Sequence, residues 1–246
     1  MNAVASAVRS VWIFARAILS GLIITLIAGS TATPSLLKLN ADFFPELPWV
    51  AALNLIWLAL VAAWLNGWGW PRSTSEFRRH SLRLWRPPEP WTSGRTLSVL
   101  TLMGLIAAIY AYFIIVVTMA GGRPAPDLSD YPTTAIRLSS FIMGALLSGV
   151  GEEMAFRGYM QSQLERFGPV FAILVTSVAF TLGHAPQDIH QFMRLAVGYF
   201  VLALLWGALA YRSGSILPGM VLHVVGDLMV AYFIVLGGDG SLLIAS

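Results

Sequence analysis

Apolar runs of about twenty residues alternate with short polar breaks along most of this chain, the length a helix needs to cross a bilayer core. Residues 1–15, with Val4, Val8, Val11, Trp12 and Phe14, predict a short interfacial helix. A first span follows from about Ala17 to Thr33, with Pro34 closing it. Arg9 and Arg16 before an apolar run resemble a signal peptide, but no small-residue cleavage site follows, so an uncleaved span is expected. The second span covers Trp49–Leu65 and the third about Leu97–Ala120. A helical stretch from Thr134 to Phe167 is broken by Gly168-Pro169. The fifth segment is Val170–Gly183 and the sixth Phe192–Tyr211. After the tight turn Arg212-Ser213-Gly214-Ser215, the seventh runs from Pro218 to Leu236. The pattern predicts an all-α, polytopic transmembrane helical bundle of seven to eight spans, with the site in a core of the C-terminal helices. Residues 1–130 hold N-terminal helices and a basic loop, 131–236 the helical core, and 237–246 a tail.

Composition agrees, since 57% of residues are hydrophobic and only 11% charged, where a soluble domain carries about a quarter. The polar breaks are Ser35–Pro48, with Lys38, Asp42 and Glu46, then Asn66–Arg95, and Gly121–Asp130. Asn66–Arg95 interleaves Arg72, Arg78, Arg79, Arg83, Arg86 and Arg95 with Trp68, Trp70, Trp85 and Trp91. Between two spans, such a loop is expected to lie on anionic headgroups rather than on nucleic acid. Placing it inside puts most Lys and Arg on one face and makes the N-terminus cytoplasmic, in a multi-pass protein of the cell membrane. The chain has no cysteine, which excludes disulfides, thiolate metal sites and a cysteine nucleophile.

Against this apolar ground the run Gly151-Glu152-Glu153-Met154-Ala155-Phe156-Arg157-Gly158 stands out. Ionisable groups at membrane depth are costly and mark function by default. In α-helical register Glu153 and Arg157, four apart, pair along the helix. Glu152 is then turned about 100° away. Glu152 lies sixteen residues before Gly168 and His184 sixteen after, so an antiparallel hairpin sets both roughly 24 Å from the bend at 1.5 Å per residue. His223 and Asp227, four apart, share one face of the seventh helix. Singly, each histidine reads as an interhelical hydrogen bond, and Glu153–Arg157 equally as a structural ion pair. As a set they fit hydrolysis. A glutamate near an imidazole can activate water, and a second polar face can stabilise an oxyanion. Phe180 reads as packing, and His80 and His190 as solvated. No His-Glu-x-x-His helix is present, so the usual zinc-protease pattern is missing. The serine motif of rhomboids, the aspartate motif of presenilins and phosphate loops are missing too.

Glu152-Glu153-x-x-x-Arg157, Phe180-x-x-x-His184 and His223-x-x-x-Asp227 together resemble the three motifs of the CPBP family. That family groups type II CAAX prenyl endopeptidases with bacteriocin-processing and immunity proteins (Abi). The resemblance covers about Phe141 to Tyr232 and implies an intramembrane peptidase. By it, Glu152 with His184 would activate the water, and His223 with Asp227 would stabilise the oxyanion. Glu153 and Arg157 would shape the site. The third motif commonly ends in asparagine, whereas here it ends in Asp227, which would either orient His223 or be held neutral by its site. The family has been described as metal-dependent and as glutamate-dependent. A carboxylate–histidine pair already suffices as a general base, so no cofactor is expected, with zinc as the alternative. The expected partners are the lipid bilayer and a peptide or protein substrate in or at the membrane. The competing functions are a non-enzymatic immunity or scaffold protein and, further off, an ion-coupled transporter, which the lack of repeats disfavours.

Overall fold

In a computed structural model of the chain, residues 3–30, 49–66, 68, 82–84, 92–119, 134–184 and 189–235 are described. Among these, every regular element is a helix. They are α1 (Ala3–Ser30), α2 (Trp49–Leu65), α3 (Ser93–Met119), α4 (Thr134–Leu147), α5 (Pro169–Gly183), α6 (Ile189–Ser213) and α7 (Leu217–Val230). The helix α4 continues without a break into a π-helical segment, Ser148–Gln161, then Ser162–Leu164 and a 3₁₀ turn, Glu165–Phe167. A second π segment, Ala231–Val235, extends α7. Pro34, the loops Ser35–Pro48 and Gly121–Asp130, most of Asn66–Arg95 including His80, and the tail lie outside the described residues, as does the side chain of His190.

The breaks fall where the local chemistry demands them. Gly168 ends the long helix at φ 111°, a value that L side chains rarely adopt. Pro169 takes the first turn of α5, where its missing N–H costs nothing. The interfacial helix expected before the first span does not exist as a separate element. No glycine or proline interrupts the run from Ala3 to Leu19, so one helix propagates from Ala3 to Ser30.

Packing divides the chain into two compact units. The first comprises Met1–Leu26, Glu76–Ile106 and Glu152–Gly219. In it α5 and α6 pack as a hairpin, and Ile13 and Ala17 of α1 are buried at spacing four, the period of one helix face. Phe14 meets Phe171 with ring centroids 6.2 Å apart. The second unit comprises Ile27–Ser75, Ala107–Gly151 and Met220–Ser246, and within it α2 packs on α4. Among the described residues two stretches, Ser93–Val116 and Ala196–Ser213, are long and apolar enough to cross a membrane. Ala52–Ala63, Pro169–Gly183 and Leu217–Phe233 are shorter apolar helices. Leu97, Leu100, Tyr112 and Ile115 of α3 are exposed, as lipid-facing side chains would be.

Candidate active site

The first unit holds Glu152, Glu153, Arg157 and His184. The doubled glutamate lies in the π segment, not in an α-helix. A π turn closes from residue i to i+5, so it takes more residues than an α turn and rises less with each. Two expectations change accordingly. The 24 Å reckoning at α-helical rise is too long on the Glu152 side, where residues 152–161 are π-helical. Adjacent residues there also turn by less than 100°, so Glu152 and Glu153 diverge less than α geometry implies.

The Glu153–Arg157 pair forms. Arg157 Nη1 lies 3.2 Å from Glu153 Oε1, with the two residues 1% and 0% exposed. Arg157 Nη2 donates to the Ala203 carbonyl of α6 at 3.4 Å. One turn on, Gln161 Nε2 donates to the Gly207 carbonyl at 3.0 Å and to Glu165 Oε1 at 3.2 Å. Glu153, Arg157, Gln161 and Glu165 thus form a polar column at spacing four, and its middle two members bond carbonyls four apart on α6. Glu152, next to the column, is half-buried.

An aromatic stack continues from the arginine. The guanidinium lies 4.6 Å from the Phe180 ring centre and 5.1 Å from that of Trp206, where the negative ring faces attract it. Phe180 meets the His184 ring at 4.5 Å, and His184 stacks on Tyr199 at 4.7 Å and 29°. Phe180, read as packing from the sequence, therefore sits between the cation of one motif and the imidazole of the next. His184 is the C-cap of α5. Its Nδ1 lies 2.8 Å from the Phe180 carbonyl. A carbonyl only accepts, so Nδ1 carries the hydrogen, and in the neutral ring Nε2 keeps its lone pair.

The second unit holds His223 and Asp227. His223, 3% exposed, has Nε2 3.5 Å from Ser148 Oγ and 3.6 Å from Asp227 Oδ2. Both neighbours reach the same nitrogen, so this is not a relay in which an imidazole passes a proton between serine and carboxylate, which needs one partner on each nitrogen. The Tyr110 hydroxyl of α3 donates to Asp227 Oδ1 at 3.4 Å. Close approach of α7 to Ser148 depends on Gly149, where a Cβ would lie 2.8 Å from the Val224 backbone nitrogen.

A family model described as type II CAAX prenyl endopeptidase Rce1-like matches residues 134–229. That region is Rce1-like. It contains all three motifs, and the match bears out the family resemblance read from them. It makes a membrane-embedded peptidase the family activity. No curated protein and no solved structure matches the chain. Inside the Rce1-like region, sequence reasoning passed over Tyr199 and Trp206 and took Gln161 only as part of the polar base of the hairpin. Trp206 and Tyr199 look like any apolar or interfacial ring in a span. The signal for the place of Gln161 in the column was its spacing, four residues beyond Arg157. Tyr110 lies outside the region altogether. Among the described residues no three His, Asp or Glu side chains are close enough together to hold a metal ion.

Proposed function

We propose that the chain is an intramembrane endopeptidase that hydrolyses a peptide bond of a membrane-associated substrate. The observation that carries it is the family match, whose residues 134–229 take in every ionisable group of the three motifs. Glu152 takes a proton from the attacking water and His184, through its Nε2 lone pair, shares that proton, so that hydroxide adds to the carbonyl carbon. His223 donates to the oxyanion that results. Asp227, already accepting from Tyr110, orients His223 rather than donating itself, since a carboxylate has no proton to give. The proton then passes to the leaving amine as the tetrahedral intermediate collapses. Glu153 and Arg157 hold the π segment and shape the site's field.

The bundle is proposed to cross the cell membrane seven times, or eight, with the N-terminus in the cytoplasm and the catalytic core in residues 131–236. The family activity makes a prenylated C-terminal peptide the first substrate to try. The purified protein in lipid nanodiscs, given a farnesylated peptide with a three-residue C-terminal extension, is expected to release the tripeptide. Glu152→Ala and His184→Ala are each expected to lower the rate by at least about a hundredfold. In cells, the same variants should leave membrane peptides uncut. If both variants stay folded and keep full function, the peptidase proposal fails and a non-enzymatic membrane role takes its place.

A further inference from the structure

Leu82, Arg83 and Leu84 belong to the basic loop expected to lie on headgroups, yet Arg83 is only 1% exposed. Its guanidinium forms an ion pair with Glu165, the foot of the polar column. Its backbone is left-handed, at φ 55°, a conformation an arginine adopts only when its surroundings impose it. Those surroundings are on either side. The Ile216 amide donates to the Arg83 carbonyl at 3.0 Å, and Ser215 Oγ donates to the Leu84 carbonyl at 3.3 Å. Leu82, itself buried, places its carbonyl oxygen 2.8 Å from where a Cβ on Gly158 would stand. Only glycine at 158, immediately after Arg157, lets the loop come so close.

We propose that Leu82-Arg83-Leu84 is a clasp that sets the register of the catalytic π segment, with Arg83 as a positioning residue for hydrolysis. The proposal rests on the peptidase reading above but is testable without it. The clasp grips the segment at two points, Gly158 and Glu165. Glu165 passes the constraint to Gln161, which is bonded to α6 four residues beyond the carbonyl that holds Arg157. A small loss of orientation at a catalytic group costs rate out of proportion to the displacement. The clasp therefore acts on turnover rather than on substrate binding.

Two measurements on the full-length protein in nanodiscs test this. The first is limited trypsin digestion, reading the Arg83–Leu84 bond by mass spectrometry. That bond should resist in the parent protein and be cut at least about tenfold faster in Glu165→Gln and in Gly158→Ala, one loosening the ion pair and the other pushing the loop away. The second is kinetics on the farnesylated peptide. Arg83→Glu and Glu165→Arg should each lower kcat about ten- to a hundredfold with KM within about threefold, and the double exchange should recover most of the loss. Fast trypsin cleavage at Arg83 in the parent protein overturns the clasp. Unchanged kcat in folded variants, or a shift confined to KM, overturns the positioning role. A parent protein that cuts no peptide yet shows the trypsin contrast keeps the clasp and counts against the peptidase reading instead. Should Arg83→Glu fail to fold, Glu165→Gln carries both measurements.

Discussion

Replacing Arg157 by methionine keeps the bulk of the side chain and removes its charge. Glu153, at 0% exposure, then loses the cation it pairs with. Breaking a buried pair in this way costs about 3–5 kcal/mol. The hydrogen bond to the Ala203 carbonyl adds about 0.5–1.5 kcal/mol. The cation over the Phe180 and Trp206 rings adds about 0.5–2 kcal/mol. Because these contacts share one guanidinium they do not simply add, and we expect a loss of about 4–6 kcal/mol. That is a large part of the roughly 5–15 kcal/mol by which folded domains are stable. Glu153→Met is expected to cost less, near the low end of the 3–5 kcal/mol range, because Arg157 retains the carbonyl and the rings. The double variant Glu153→Met/Arg157→Met removes both charges and should come back to within about 2 kcal/mol of the parent. The coupling energy in the cycle is then at least about 2 kcal/mol, well above the few tenths seen for independent sites. The assay is reversible unfolding of the purified protein in mixed micelles, followed by near-ultraviolet circular dichroism. A double variant as unstable as the sum of the two single ones would refute the buried-pair account. The stable double variant should still be inactive, which separates the pair's part in folding from its part in catalysis.

Gly168→Ala forces a methyl group onto a backbone at φ 111°. It should destabilise the hairpin by about 1–3 kcal/mol, read as a lower unfolding midpoint with activity of the folded fraction retained. Asp227→Asn restores the residue usual in the family and keeps an oxygen for the Tyr110 hydroxyl, so peptide cleavage should stay within about tenfold of the parent. Asp227→Leu removes both acceptors and should lower kcat by about a hundredfold, as expected when an orienting partner of a catalytic group is lost. Activity should survive treatment with a chelator and dialysis, with less than one equivalent of metal by elemental analysis. One metal per chain with chelator-sensitive cleavage would rule out the glutamate-only mechanism.

Helix boundaries were legible because breakers announce them. Trp49–Leu65 matches the observed α2 residue for residue. Gly168-Pro169, Gly214 and Pro218 mark the turns around α5, α6 and α7. The pairing of Glu153 with Arg157 was legible as well, since an ionisable side chain in an apolar helix has few bland explanations. The inward turn of Arg83 was not. A loop has no period, and nothing in a row of six arginines tells which one will be buried against a carboxylate. Nor could the sequence show that Tyr110, on a helix outside the matched region, reaches Asp227.

The π segment is the more instructive omission, because it changes what spacing means. On an α-helix a step of four residues turns about 400°, so each step overshoots by about 40°. Three such steps, from Glu153 to Glu165, would carry the column about 120° round the helix, two thirds of the way to its opposite side. Lengthening the turn toward an i+5 closure shrinks the overshoot. Glu153, Arg157 and Gln161, all inside the π segment, then stand nearly above one another and can face one partner. That partner is α6, whose Ala203 and Gly207 are small enough for polar side chains to reach their carbonyls. With the π turns the arginine and the glutamine both meet the same side of α6 while Glu165 meets Arg83. The wide turns therefore have a structural reason in this chain: they let one helix carry a carboxylate, a guanidinium and an amide along a single buried line, with Glu152 beside it.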